Sequence, residues 1–122
     1  MEALFVAGHL ILGLYFLRSG ITHFFKVNYL AAYAGSKGVP FAKFSVIASG
    51  VLMALGGISL VGWIRPDIGI GMLLLALLPM TTMIHNFWTV TDPMQRANEE
   101  ISFGKNIALI GALMLLLAFV LL

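Results

Sequence analysis

The sequence predicts an all-α integral membrane protein: a four-helix bundle with a short amphipathic interfacial helix between its third and fourth spans. Three observations carry that prediction. Hydrophobic residues make up 61% of the 122, and charged residues only 10%, too few polar groups to cover a water-soluble domain. Four apolar stretches, 3–25, 41–61, 68–88 and 103–122, each approach the roughly 20 residues that a helix needs to cross hydrocarbon. No segment alternates polar and apolar residues in the manner of a membrane barrel. Backbone groups in lipid must bond within their own segment, so the spans are expected to be helices. Residues 1–122 read as a single transmembrane domain.

The first span opens on Met1-Glu2, without a basic start, and no small-residue cleavage site follows it. It is therefore expected to remain in the mature chain as a membrane helix. The second and third spans are joined by a short turn from Gly62 to Asp67, in which Pro66 suits the first turn of the next helix. Pro79 lies inside the third span, where it is expected to kink the helix and free a carbonyl. After that span, Asp92-Pro93-Met94-Gln95 reads as an N-cap, a proline at the first helical position and a capping-box glutamine. Met94, Ala97 and Ile101 recur at helical spacing, with Arg96, Asn98, Glu99 and Glu100 on the other faces. That pattern describes a short helix lying at the membrane surface. Ser102 is the expected N-cap of the fourth span. Small residues at Gly13 and Gly20, Ser45 and Ser49, and Ala108 and Ala112 suit close helix packing in lipid.

Charge sets the expected orientation. The first and third loops carry Lys26, Lys37, Lys43, Arg96 and Lys105, whereas the other side has only Arg65. By the positive-inside rule these loops face the cytoplasm and both termini lie outside. The net charge of +2 reflects those loops and gives no reason to expect a nucleic-acid partner. The chain has no cysteine, which excludes disulfides, thiol redox chemistry and thiolate metal sites. Any redox role would need a bound cofactor or a partner subunit.

The polar residues gather towards the same face as the basic loops. The first span carries Tyr15, Arg18, Ser19, Thr22 and Lys26 on one stripe, with His23 beside it. The third span ends with Thr81, Thr82, His85, Asn86 and Trp88, and the fourth opens with Lys105 and Asn106. Between them lie Asp92, Arg96, Glu99 and Glu100. Ionisable residues near the bilayer interior are costly and usually face inward with partners. Arg18, the deepest of them, has as its plainer role snorkelling to headgroups or pairing with Asp92, Glu99 or Glu100. Arg96 with Glu99 and Glu100 reads most simply as a local helix pair. His23 and His85 lie on the same side and are candidates to meet across the bundle, handling protons or simply hydrogen-bonding. Two such histidines can bind a haem axially or a metal, but without a supporting third group or a recognised spacing the signal is weak, and neither haem nor metal is expected. His9, alone in apolar sequence, is read as structural, and Phe24, Phe87 and Trp88 as interfacial anchors.

The same residues carry a family resemblance. Arg18, Gly20, His23-Phe24, Gly38-Val39-Pro40, Ser49-Gly50, His85-Asn86-Phe87-Trp88, Asp92-Pro93, Glu99, Phe103, Lys105-Asn106 and the 108–112 stretch resemble the DoxX family. The resemblance covers nearly the whole chain. It implies a small four-helix protein of a bacterial or archaeal cytoplasmic membrane, related to the membrane subunit of a thiosulfate:quinone oxidoreductase.

Together, residues and resemblance lead to an expectation of a quinone-linked redox subunit with a polar pocket in the inner leaflet. Trp88, Phe24 and Tyr15 would line the ring, and Arg18, Asn86 or Lys105 would donate to a carbonyl. His23 or His85 would pass protons, with Asp92 or Glu99 linking the pocket to water. The candidate ligand-binding and proton-handling set is therefore Arg18, His23, His85, Asn86, Trp88, Asp92, Glu99, Lys105 and Asn106. Membrane lipid and a partner subunit or second copy are the expected partners. Two other functions fit the same composition: a non-catalytic membrane anchor for a soluble protein, and a small-solute or lipid transporter.

Overall fold

A computed structural model describes all 122 residues. It contains five α-helices and no strand: α1 (Glu2–Phe25), α2 (Val27–Ser36), α3 (Ala42–Gly62), α4 (Pro66–Met83) and α5 (Pro93–Leu121). The helices α1, α3, α4 and α5 are long and apolar enough to cross a membrane. Only 19 of the 122 residues are buried, so most apolar side chains point outward, as a chain solvated by lipid requires. One core joins the four long helices: Phe16 of α1, Met53 and Leu60 of α3, Ile70, Leu73, Ala76 and Leu77 of α4, and Leu113 of α5.

The largest helix interface is between α1 and α3, and glycine makes it possible. Gly13 and Gly20 on α1 face Gly57 and Gly50 on α3, two pairs at seven-residue spacing. A Cβ on Gly57 would lie 2.5 Å from the Leu17 nitrogen, and one on Gly20 would lie 2.5 Å from the Ala54 nitrogen. The two backbones thus touch where a side chain would stand, so dispersion contacts replace the hydrophobic driving force that lipid cannot supply. By contrast Ala108 and Ala112 are exposed, and Ser45 and Ser49 donate to the carbonyls of Pro40 and Val46.

The turn between α3 and α4 is tight. Trp63 takes a left-handed conformation, φ 53°, and the Ile64 N–H donates back to the Ser59 carbonyl, closing α3 as a Schellman motif. Trp63 accepts that strain because its ring packs against Phe5 and His9, at 4.7 and 5.0 Å between centroids. His9 has the expected structural role, its Nδ1 lying 2.7 Å from the Leu60 carbonyl. Pro66 opens α4 at its first position. The helix runs on through Pro79 as far as Met83.

Three elements differ from the sequence expectation. The first loop contains a helix, α2, which packs on α3. It ends at Gly38, φ 82°, where the N–H groups of Gly38 and Val39 donate to Gly35 and Ala34; glycine adopts this conformation without a Cβ penalty. Second, the span expected over 68–88 stops at Met83, and a single 3₁₀ turn follows at Phe87–Thr89. Third, the amphipathic helix after Asp92 does form, but it runs without a break into the fourth span as the 29 residues of α5. Ser102 is therefore interior and caps nothing. No glycine or proline between Met94 and Ser102 would stop the helix. The Asp92 cap is as expected, with its Oδ2 accepting from the Gln95 N–H at 2.9 Å.

Candidate functional site

The break between α4 and α5 positions the polar groups. Met80 accepts from the N–H groups of Ile84 and His85, and the chain then leaves the helical path. His85 and Asn86 are presented on irregular backbone at the basic end of the bundle. On α5, the buried positions Glu99, Asn106 and Leu113 recur every seven residues, a stripe that faces the other helices. Its first member, Glu99, thereby meets the residues of the break.

Glu99 is the centre of the cluster. It is 8% exposed, and both of its carboxylate oxygens are engaged. Oε1 accepts from the Tyr33 hydroxyl at 2.5 Å, and Oε2 lies 3.0 Å from Nδ1 of His85. Three elements thus converge on one carboxylate: α2, the α4–α5 break and α5. Tyr33 lies outside the apolar spans, and its pKa is pushed up to about 12, first by burial and then by the hydrogen bond to Glu99. A phenol against an acceptor carboxylate keeps its proton because the phenolate would face a second negative charge.

Beside this group lies a polar cleft of about 510 Å³, lined in part by Lys37, Asn86, Asp92 and Gln95. Lys37 Nζ donates to the Asn86 Oδ1 at 2.8 Å, tying the end of α2 to the break. Next to it, Phe87, Trp88 and Phe103 form an aromatic corner, with ring centroids 5.4 to 5.6 Å apart. Thr81, four residues before His85, is 1% exposed, and its hydroxyl has no hydrogen-bond partner.

Of the sequence-predicted residues, His85, Asn86, Asp92, Glu99 and Trp88 come together here. Asn106 is buried, 2% exposed, two helical turns beyond Glu99 on the same stripe. Three others do not join. His23 places Nδ1 2.7 Å from the Ser19 carbonyl of its own helix and packs against Gly50, on the α1–α3 seam. Arg18 is exposed and forms no ion pair; the two in the protein are Arg65–Asp67 and His85–Glu99. Lys105 stands over the ring of Tyr15, 5.8 Å from its centroid, on the other side of α5. Arg96 pairs with neither Glu99 nor Glu100; its guanidinium lies 5.6 Å from the Phe87 ring centroid. Of the expected ring slot of Trp88, Phe24 and Tyr15, Trp88 packs with Phe87 and Phe103 whereas Tyr15 packs with Phe16 and Lys105. Sequence reasoning missed Tyr33 and the interaction of Lys37 with Asn86. The helical spacing of Tyr29 and Tyr33 with Leu30 was the available signal.

No protein-family model matches the chain, and neither curated proteins nor solved structures provide a match.

Proposed function

We propose that this chain is the membrane subunit of a quinone-linked redox system, with Tyr33, Glu99 and His85 as its proton-handling group. The observation that carries the reading is the buried carboxylate of Glu99 held between a phenol and an imidazole. Reduction of a quinone takes two electrons and two protons, so a quinone site needs proton donors within reach of its carbonyl oxygens. His85 is such a donor, and Glu99, held in place by the Tyr33 hydroxyl, stabilises the charge that forms on His85 when it takes up a proton. The cleft beside Lys37 and Asp92 is the route by which protons return from cytoplasmic water. The Phe87–Trp88–Phe103 corner offers an apolar flank for a flat ring. The electrons come from a partner subunit, since the chain has no cysteine for thiol redox chemistry. The DoxX resemblance and the basic loops support the same reading, with the site on the cytoplasmic side of the membrane.

The test is saturable binding of ubiquinone and menaquinone to detergent-purified protein. Wild type is compared with His85→Ala, Glu99→Gln and Arg18→Ala. Binding weakened by the first two and unchanged by the third is the expected result. Absence of saturable binding to well-folded wild type would sink the quinone reading. The anchor function would then lead, favoured by the unpaired cations Lys26, Lys43, Arg96 and Lys105 that surround this end.

A further inference from the structure

A groove runs between α1 and α5 on the side of the bundle away from Glu99. Its volume is about 410 Å³, and its walls include Leu4, Gly8 and Leu12 of α1 and Ala112, Leu115 and Phe119 of α5. Small residues hold it open: a Cβ on Gly8 would meet nothing within 4 Å. Its one polar side chain, His9, is already engaged with the Leu60 carbonyl. The walls therefore suit a hydrocarbon chain.

Two cations lie beyond one end of the groove. Tyr15 follows Leu12 on the α1 stripe, and Lys105 precedes Ala112 by two turns on α5. The Lys105 ammonium stands over the Tyr15 ring, about 10 Å along α5 from the Ala112 wall. Arg18, three residues beyond Tyr15, is exposed about one turn further along α1. Both cations are exposed, and neither has a carboxylate partner. Lys105 sits just inside the apolar span that opens at Phe103, at the depth where a headgroup meets its acyl chains. Arg18 is seven residues before the end of α1, and its long stem reaches the same boundary by snorkelling.

An apolar slot with two exposed cations roughly two turns beyond its Leu12 and Ala112 walls, neither holding a carboxylate partner, is complementary to an anionic amphiphile. We propose that the α1–α5 groove is a binding site for an anionic phospholipid, with one acyl chain along Gly8 and Ala112 and its phosphate between Lys105 and Arg18. A parallel second copy on this face fits less well, because its own Lys105 and Arg18 would meet these two in a low-dielectric setting.

The experiment titrates delipidated, detergent-purified full-length protein with dioleoyl-phosphatidylglycerol or dioleoyl-phosphatidylcholine and counts retained lipid by native mass spectrometry. Wild type is expected to prefer the anionic lipid. Lys105→Gln and Arg18→Gln should each reduce that preference about fivefold, and the double variant about thirtyfold. Gly8→Leu, whose Cβ meets nothing within 4 Å and whose side chain enters the groove, should weaken retention of the anionic lipid while both cations remain. Equal retention of the two lipids by wild type, an unchanged preference in the double variant, or wild-type retention in Gly8→Leu would each overturn the proposal.

Discussion

The seam between α1 and α3 permits a quantitative test in which glycine positions act as their own controls. Gly57→Ala adds a single methyl group. Its carbon would stand 2.5 Å from the Leu17 nitrogen and 2.7 Å from the Gly13 carbonyl oxygen. Ordinary contact begins at 3.4 Å, so moving from 2.5 Å to 3.4 Å separates the helices locally by about 0.9 Å. A gap of that size forfeits roughly a quarter to a half of each dispersion contact along the interface. Overpacking costs about 1–3 kcal/mol, and the upper part of that range applies because the obstruction is backbone, which has no rotamer to change. Replacing helical glycine by alanine returns about 0.5–1 kcal/mol, leaving a net loss of about 2 kcal/mol. Gly71→Ala and Gly111→Ala place the same methyl in open space and should stabilise by about 0.5–1 kcal/mol. The two classes should then differ by about 3 kcal/mol, more than a hundredfold in the folding constant. Unfolding of the purified protein in mixed micelles, titrated with sodium dodecyl sulfate and followed by far-ultraviolet circular dichroism, measures the difference. If Gly57→Ala unfolded at the same detergent fraction as Gly71→Ala, the close approach of α1 and α3 would be wrong.

Further outcomes follow from the cluster around Glu99. Spectrophotometric titration should reveal a phenol ionising near pH 12, from Tyr33, and Tyr33→Phe should remove that component. Because folded Tyr33 holds its proton more tightly than an unfolded tyrosine, its contribution to stability is intact below about pH 10 and erodes as pH rises towards 12; a pH-stability profile over that window that was the same in wild type and Tyr33→Phe would contradict the assignment. At the start of α5, Asp92→Ala removes the acceptor of the Gln95 N–H and should cost about 1 kcal/mol, whereas Asp92→Asn should largely retain the cap; the same micelle unfolding assay reads both.

Much of this architecture is written locally in the chain. Twenty apolar residues in a row have no alternative in lipid to a helix, so the four spans could be read by length and hydropathy. Pro66 and Asp92 marked helix starts because their effects involve only neighbouring backbone. The concentration of His85, Asn86 and Glu99 towards one end also followed from position along the spans.

Other features depend on partners distant in sequence. Helix α2 is ten residues long, too short to persist on its own propensity, and it packs on α3, to which it is joined only through the Gly38 turn. Without it Tyr33 has no assigned place, which is why the third member of the Glu99 cluster was not visible in the sequence. Likewise, hydropathy marks Arg18, His23, Lys105 and Glu99 as similarly placed polar residues. Each helix's rotation then divides them: Glu99 shares the inward stripe with Leu113, Lys105 turns towards α1, His23 lies on the glycine seam and Arg18 faces out. Local sequence determines that a segment crosses the membrane. Only packing of the glycine seam and the core around Phe16 and Leu73 sets the rotation, because a helix in lipid has no aqueous side to orient it and turns to whichever face its neighbours can approach most closely.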